Sequence, residues 1–343
     1  MKKLSMTEIA KNLNVSKGLV SLALSDKYGV SDEMKSKIRL YALENGYDFS
    51  RLHSGKKMST TVLFIVPSLE FFHENFWSQI VSGIESVLTE NRITLEILSC
   101  NNMTNKDGYA ADLICKHIAA LKPNGIILIS DVASKKVCPS IKKTNIPMVL
   151  VDSSDYLYND VDHVLMNNYQ GGYIAAEYLV KKGHKNLCFV GNKTHTTSFR
   201  FRYNGFKACC EEQKDIHVKY LTNPGPWDCP HFDRDDLEQF LGNLKSHSAI
   251  MCANDPIAFF IYDYCERHQI RIGKDLSVMG FDDIDLCTVR APRLTSILVH
   301  RSMIGKVATE TLLERINGSS LPTRTIQIST QLSERDSVLD LTR

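Results

Sequence analysis

The chain has 343 residues and contains no run of eighteen apolar residues, which excludes an ordinary membrane-spanning helix. Its net charge of +2 hides an asymmetry, because residues 1–60 hold eleven Lys or Arg against six Asp or Glu, a balance of +5 that leaves −3 for the rest. A basic front joined to a mildly acidic body favours a polyanion as the partner of the first sixty residues.

The first predicted elements are two short amphipathic helices joined by a tight turn, followed by a third helix. Ser5 and Glu8 form a capping box, so the first helix begins directly after Ser5. Ser16 caps the second helix, and Asn14 suits the turn because it tolerates a left-handed backbone. The third helix is predicted after Ser31. Apolar side chains at helical spacing provide the inward faces: Ile9, Ala10, Leu13, Val20, Leu24, Ile38, Tyr41 and Ala42.

The segments IAKNLNVSKGLVSLAL, VSDEMKSKI and ALENGY follow one another within residues 4–47. In this order they resemble the headpiece of the lactose-repressor (LacI/GalR-type) family of bacterial transcription regulators. A generic small helical bundle is the alternative. The resemblance implies that the second helix enters the major groove of DNA. The candidate DNA-binding residues are Ser5, Thr7, Ser16, Lys17, Gly18, Leu19, Ser21, Leu22, Ser31 and Leu52.

Two positions depart from the family's pattern, which usually has Thr in place of Leu19 and Arg in place of Leu22. Arginine there would read guanine through two parallel hydrogen bonds, whereas leucine can only contact a thymine methyl. We therefore hypothesise an A·T step in the half-site at this position. In the alternative interpretation, both leucines extend the core of the headpiece.

Residues 48–59 stand where the family has a hinge helix whose leucine wedges into the minor groove. The usual Pro-Asn opening and Ala-rich helix are missing, and Leu52 is the only aliphatic candidate for the wedge. A plain flexible linker is the alternative. The predicted domains are thus a headpiece over 1–47, a hinge over 48–59 and a ligand-binding and dimerisation domain over 60–343.

From Thr60 onward, short apolar runs alternate with amphipathic helical stretches, which predicts an α/β body with parallel, doubly wound sheets. Predicted strands are TVLFIV, ITLEIL, GIILI, MVLV, NLCFV, AIMCA and LSVMGF, and predicted helices span 76–91, 169–182, 255–269 and 303–316. The length favours two lobes. The family resemblance implies a periplasmic-binding-protein fold with three crossovers, with an N-lobe of about 60–163 and 296–324 and a C-lobe of about 164–295 and 325–343.

Further motifs extend the resemblance along the body: NNYQGG, HKNLCFVG, SFRFRYNGF, CANDPIA and SVMGFDDI. Ligands of open α/β sheets bind beyond the carboxyl ends of the strands, where several polar residues fall. The candidate ligand-binding residues are Phe76, Trp77, Asp152, Arg202, Trp227, Asn254 and Asp282. Carboxylates, an amide and a guanidinium with flat rings suit a sugar, and a purine or nucleoside is the alternative.

Each of these candidates has a structural alternative. Phe76 and Trp77 are as well suited to the core as to a ligand cage, and Trp227 sits in a Pro-Gly-Pro loop where simple packing is the alternative. Asp255 and Asp283 follow strands too, but a strand-end aspartate more often caps the next helix. Asn167 stands where the family more often has Asp, which removes a charge near the ligand.

Enzyme signatures are missing from the sequence: it has no GxSxG, GxxxxGK[ST] or HExxH motif. The ten cysteines are scattered without a CxxC pair, so no metal site is predicted. Free thiols and the absence of a signal peptide favour a reducing cytoplasm. We therefore expect no catalytic residues, no metal and no cofactor.

The sequence thus predicts a cytoplasmic regulator, most simply a repressor, that binds palindromic double-stranded operator DNA and a small-molecule effector. The resemblance implies a homodimer, and the eleven residues after Leu332 are too short for tetramerising leucine heptads. The alternative is a stand-alone sugar-binding protein with a degenerate headpiece, which Leu19 and Leu22 keep open.

Overall fold

A computed structural model describes residues 5–24, 30–45, 47, 60–68, 75–101, 103–105, 108–129, 132–152, 160–192, 196–221 and 248–343. The chain divides into two compact units, Met1–Thr60 and Thr61–Arg343. Leu52, with the rest of the predicted hinge, and Trp227 lie outside the described residues.

The first unit contains three helices, α1 (Met6–Asn12), α2 (Lys17–Leu24) and α3 (Asp32–Glu44). The capping box is present, because Ser5 Oγ accepts from the Glu8 backbone and the Glu8 carboxylate accepts from the Ser5 backbone. Asn14 has φ 53°, as the turn requires. These local predictions are confirmed. The helices bury a small core made of Ile9, Ala10, Val20, Ala23, Leu24, Ile38, Ala42 and Tyr47.

The second unit contains two six-stranded sheets. Its strands are β1 (Thr61–Val66), β2 (Thr94–Ser99), β3 (Thr104–Asn105), β4 (Gly108–Tyr109), β5 (Gly125–Ile129), β6 (Met148–Val151), β7 (Asp162–Met166), β8 (Asn186–Val190), β9 (His217–Leu221), β10 (Ala249–Cys252), β11 (Ser277–Asp282), β12 (Thr295–Leu298), β13 (Thr325–Ile328) and β14 (Gln331–Ser333). The first sheet has the order β13-β7-β6-β5-β1-β2 and is parallel throughout. The second has the order β14-β12-β11-β10-β8-β9, in which only β14 runs antiparallel.

The helices of the second unit are α4 (Asn75–Glu90), α5 (Ala111–Leu121), α6 (Val137–Lys142), α7 (Asn168–Lys181), α8 (Thr197–Glu211), α9 (Asp255–Arg267), α10 (Leu286–Val289) and α11 (Arg301–Ile316). Helices α7 and α8 pack together on the second sheet's side, and α4 and α11 on the first sheet's side. The chain passes between the sheets after β7, after β12 and after β13, which confirms the three expected crossovers.

The boundaries of the lobes differ from the prediction. Strand β13 (Thr325–Ile328) pairs with β7 in the first sheet, so the last return to the second sheet comes after Ile328 and not at residue 325. Strand β7 belongs to the first sheet and β12 to the second, which also shifts the other two crossovers by a few residues. The prediction placed all three crossovers a few residues too early, because β7, β12 and β13 were not recognised as strands and the chain changes sheets only after each of them ends.

Close helix crossings in both lobes depend on glycine. A Cβ added at Gly172 of α7 would collide with the backbone oxygen of Arg202 in α8, and one at Gly205 would collide with that of Tyr169. The other lobe repeats the arrangement, since a Cβ at Gly83 of α4 would collide with the oxygen of Ser302 in α11. In each lobe, backbones therefore touch where a side chain would separate them.

Candidate functional site

Arg202 is the polar centre of the second lobe. It lies on α8 and is only 3% exposed. Its Nε donates to Asn168 Oδ1 at 2.8 Å, its Nη1 donates to the Ala253 backbone oxygen at 2.6 Å, and its guanidinium lies 3.8 Å from the centre of the Phe281 ring. Because these partners come from α7 and from the carboxyl ends of β10 and β11, the guanidinium is held rigidly at the edge of the sheet.

Asp282 is the counter-ion of this arginine. Its Oδ1 lies 3.0 Å from Arg202 Nη2, and both side chains are buried. Burial raises the pKa of Asp282, while the positive charges of Arg202 and Arg301 act in the opposite direction. The residue has φ 102°, an uncommon backbone conformation for aspartate. The predicted pair is thus brought together where a strand ends.

The sequence predicted that Asn254 binds the ligand and that Asp255 caps the next helix, but the structure places Asn254 at the cap and buries Asp255 at the strand ends. Asn254 is the N-cap of α9, because its side chain accepts from the Ile257 backbone at 3.1 Å. Asp255 is fully buried instead of capping, and it accepts from Ile284 N at 2.9 Å and from Ser296 Oγ at 2.6 Å. Its pKa is raised to about 7, first by burial and then by the charge of Asp282.

The raised pKa of Asp255 predicts a stability that depends on pH. The folded chain keeps this proton up to about pH 7, whereas the unfolded chain loses it near the ordinary value of about 4. The resulting stabilisation is complete below about pH 4 and is lost as the pH rises through 7. We expect Asp255→Asn to gain stability relative to the wild type as the pH rises from 5 to 8, measured by urea unfolding.

Asp275→Asn is the matched control for this experiment. Arg271 lowers the pKa of the exposed Asp275 to about 2, so this carboxyl does not titrate between pH 5 and 8 and its variant should show a flat difference from the wild type. A flat difference for Asp255→Asn as well would mean that Asp255 is ionised in the folded protein throughout this range.

Asp152 links the two lobes. It follows β6 of the first sheet with φ 55°, and its Oδ1 accepts from Ser198 Oγ of α8 at 3.0 Å. Because α8 packs on α7 in the second lobe, this hydrogen bond joins the lobes beside the Arg202 cluster. The contact between Asp152 and Ser198 was not anticipated.

Two of the predicted rings lie on α4. Phe76 and Trp77 meet edge to face with 5.1 Å between ring centres. Trp77 is 4% exposed and belongs to the hydrophobic core, while Phe76 is half-buried and packs against that core. Trp77 is therefore a core residue, as its structural alternative expects. Of the two rings, Phe76 has the larger surface accessible to solvent.

Two arginines and one asparagine near the strand ends were not foreseen as members of the cluster. Asp283 forms an ion pair with Arg335, with an Oδ1 to Nη1 distance of 2.6 Å. Arg301, the first residue of α11, donates from Nη2 to the Asp283 backbone oxygen at 3.0 Å. Asn168 fixes Arg202 as described above. A signal for Arg301 exists in the sequence, because a cation opposes the helix dipole at an N-terminus.

The headpiece presents a different surface. Ser16 caps α2 by accepting from Leu19 N at 3.1 Å, and Ser31 accepts from Met34 N at 3.4 Å. The exposed candidates of the first two helices are Thr7, Ser16, Lys17 and Gly18. Leu19 packs against the small core, as its alternative interpretation expects. Leu22 is half-buried and is not part of that core within the described residues, so it keeps surface for a base contact.

The part of the chain that the structure describes holds no group of three or more His, Cys, Asp or Glu placed to bind a metal ion. Within the same residues, no helix combines the length and the apolar character needed to cross a membrane. Nine described cysteines are free, and eight of these are buried.

These features define a class of protein: a two-lobed α/β body with charged side chains at the strand ends of its second lobe, preceded along the chain by a three-helix unit. A family profile described as a periplasmic binding protein-like domain matches residues 176–338. The ribose operon repressor of Haemophilus influenzae is 25% identical over 98% of this chain and 99% of its own length. A repressor named PurR from Vibrio cholerae is also 25% identical, over 99% of both chains.

Solved structures give the same result for the fold. A LacI-family regulator from Enterococcus faecium with bound ribose has a TM-score of 0.67 at 23% identity, over 82% of this chain and 99% of its own. A lac repressor dimer bound to operator and the anti-inducer ONPF has a TM-score of 0.72 at 19% identity, over 98% of this chain and 100% of its own. Over nearly its whole length, the chain is therefore similar to named transcriptional repressors, and its fold is similar to that of LacI-family regulators.

Proposed function

We propose that this protein is a transcriptional repressor whose affinity for a palindromic operator is controlled by a small polyhydroxylated effector, a sugar, bound between the two lobes. The observation that carries the proposal is the buried pair of Arg202 and Asp282, 3.0 Å apart at the strand ends of one lobe, beside the hydrogen bond from Ser198 to Asp152 of the other lobe. Fixed donors and acceptors of this kind orient hydroxyl groups.

A ligand held by both lobes would change the angle between them. Asp152 belongs to the first lobe and Arg202 to the second, so a molecule that contacts both favours one lobe arrangement over others. Effector affinity and DNA affinity are then coupled, and each changes the other by the same factor. Relatives solved with ribose and with cellobiose support a sugar as the effector.

DNA binding is assigned to α2 and the residues that flank it. Ser16, Lys17 and Gly18 are exposed at its start, where a helix N-terminus approaches phosphates and base edges. Ser5 and Ser31 cap the neighbouring helices and so orient α2. Two copies of the chain would place two such helices on a palindrome, as in the relative solved as a dimer on its operator.

This assignment predicts DNA binding that depends on salt and on Lys17. A duplex selected from a random library by the full-length protein should shift in a mobility assay, and its affinity should fall steeply between about 50 and 200 mM salt. Lys17→Ala should weaken the complex and reduce the slope of log K against log salt by about 1 per headpiece.

Lys214→Ala is the matched control, because it removes one exposed positive charge from the body. It should leave both affinity and slope unchanged. The absence of any salt-dependent complex would contradict the proposed function and favour a stand-alone sugar-binding protein. Equal effects of the two substitutions would contradict the role given to α2.

A further inference from the structure

Arg301 is a buried cation whose hydrogen-bonding capacity is mostly unused. It is the first residue of α11, directly after the chain crosses from β12, and it is 4% exposed. Its Nη2 donates to the Asp283 backbone oxygen at 3.0 Å. Its Nε and Nη1 are buried and have no hydrogen-bond partner within the described residues. Unsatisfied buried donors of a charged group are costly, so this arrangement calls for a reason.

The carboxylates nearby are already engaged with other arginines. Asp282 is paired with Arg202 at 3.0 Å, and Asp283 with Arg335 at 2.6 Å. Arg301 has no ion pair of its own within 4.0 Å among the described residues. The cluster therefore has three arginines, of which Arg202 and Arg301 are buried and Arg335 is partly buried, against these two carboxylates.

The position of Arg301 at a helix N-terminus is unfavourable as well. The N-terminus of a helix repels a cation, and α11 is 16 residues long. The same site also includes Asp282, whose buried Oδ1 has the ion-pair contact with Arg202 at 3.0 Å but no further hydrogen-bond partner in the described chain. Two free donors of Arg301 and a carboxylate that is paired on one side only thus lie together at the strand ends of the second lobe.

We propose that Arg301 receives the anionic group, a carboxylate or a phosphate, of a hydroxylated effector, while Asp282 accepts from one of its hydroxyl groups. The two unused donors, Nε and Nη1, lie on different edges of the planar guanidinium, and each edge also carries Nη2, so an oxygen of such a group can be bound at either edge. This inference rests on the proposed function in that it places the effector at the same strand ends. It predicts that the effector is an acidic or phosphorylated sugar and not a neutral sugar.

The test uses the full-length protein and paired probes that differ in one anionic group. D-gluconate is compared with D-glucose for the carboxylate, and D-ribose 5-phosphate with D-ribose for the phosphate. Inorganic phosphate serves as the minimal probe, against chloride at equal ionic strength. Dissociation constants come from calorimetry, and melting temperatures from thermal unfolding.

For the wild type, we expect inorganic phosphate and at least one anionic sugar to bind, the sugar at least about 30-fold more tightly than its neutral partner. Arg301→Met should remove most of that preference and change the affinity for neutral sugars less than about 3-fold. Arg301→Lys, which keeps the charge but loses the planar fork, should lie between the two.

The melting temperature without ligand separates this role from a structural one. Removing unsatisfied buried donors should leave the unliganded Arg301→Met protein at least as stable as the wild type. If Arg301→Met lowers the melting temperature and weakens the binding of charged and neutral probes equally, Arg301 only neutralises the charge of Asp282. The proposal would then be wrong. Equal stabilisation of wild type and Arg301→Met by inorganic phosphate would also overturn it.

The two proposals fail in different ways. If neutral sugars bind and release the selected duplex while the anionic ones do not bind, the regulator function holds and the anionic class is wrong. If anionic probes bind through Arg301 but no duplex is retained in the mobility assay, the effector class holds and the regulator function is wrong.

Discussion

Arg202→Met is expected to lower the free energy of unfolding by about 3–5 kcal/mol and to abolish effector binding. The substitution leaves the buried Asp282 without its ion pair, and it removes the donors that hold Asn168 and the Ala253 backbone oxygen. Urea unfolding of the full chain measures the stability, and calorimetry with the probes named above measures binding.

Combining Asp282→Asn with Arg202→Met separates two causes of the lost stability: the unpaired carboxylate of Asp282 and the missing contacts of Arg202. The double variant no longer contains an uncompensated carboxylate, so it should recover part of the stability but none of the binding. Arg200→Met removes an exposed positive charge from the same helix and should change neither quantity by more than about 0.5 kcal/mol. Effector binding by the Arg202 variant would show that the effector binds elsewhere.

Gly172→Ala is expected to destabilise the second lobe by about 3 kcal/mol and to weaken effector binding in the molecules that remain folded. The new methyl group would meet the backbone oxygen of Arg202, so α7 and α8 must move apart. Any such movement shifts Arg202 relative to Asp282. Thermal unfolding and calorimetry on the same sample test both effects.

Gly18→Ala is the comparison for the glycine experiment. Gly18 also lies in a helix, but the atom nearest to an added Cβ is Ser16 Oγ at 3.8 Å. Alanine should therefore be tolerated or slightly favourable there, by up to about 1 kcal/mol. Similar destabilisation by both substitutions would mean that the crossing of α7 and α8 can relax.

The central strands and the headpiece were predictable because their signals are local. Runs such as TVLFIV and GIILI are apolar throughout, and Ser5 with Glu8 forms a capping box from four consecutive residues. Most of the strands that were missed are short or half-exposed, and the buried β7 (Asp162–Met166) begins with two polar residues, Asp162 and His163. β9 (His217–Leu221) and β13 (Thr325–Ile328) lie at sheet edges and expose alternate or successive side chains, so they have no continuous apolar run.

The candidate site was predictable only in part. Arg202 and Asp282 were identified through a family pattern, and their pairing follows from the fold. Asp255 could not be assigned correctly, because only the tertiary structure shows that β11 and β12 surround its carboxylate. Arg301 was overlooked because an arginine between a strand and a helix is usually a surface residue.

The glycine contacts have a consequence for how this protein could acquire a new effector. Gly172 touches the backbone of Arg202, and Gly83 touches that of Ser302, the neighbour of Arg301. Each arginine thus extends from a main chain whose place is set by contact between helices, independently of any ligand. On the role proposed for Arg301, effector preference can then diverge by exchanging the side chain at 301 while the backbone positions stay unchanged. Selection for new specificities should accumulate substitutions there and leave both glycines intact.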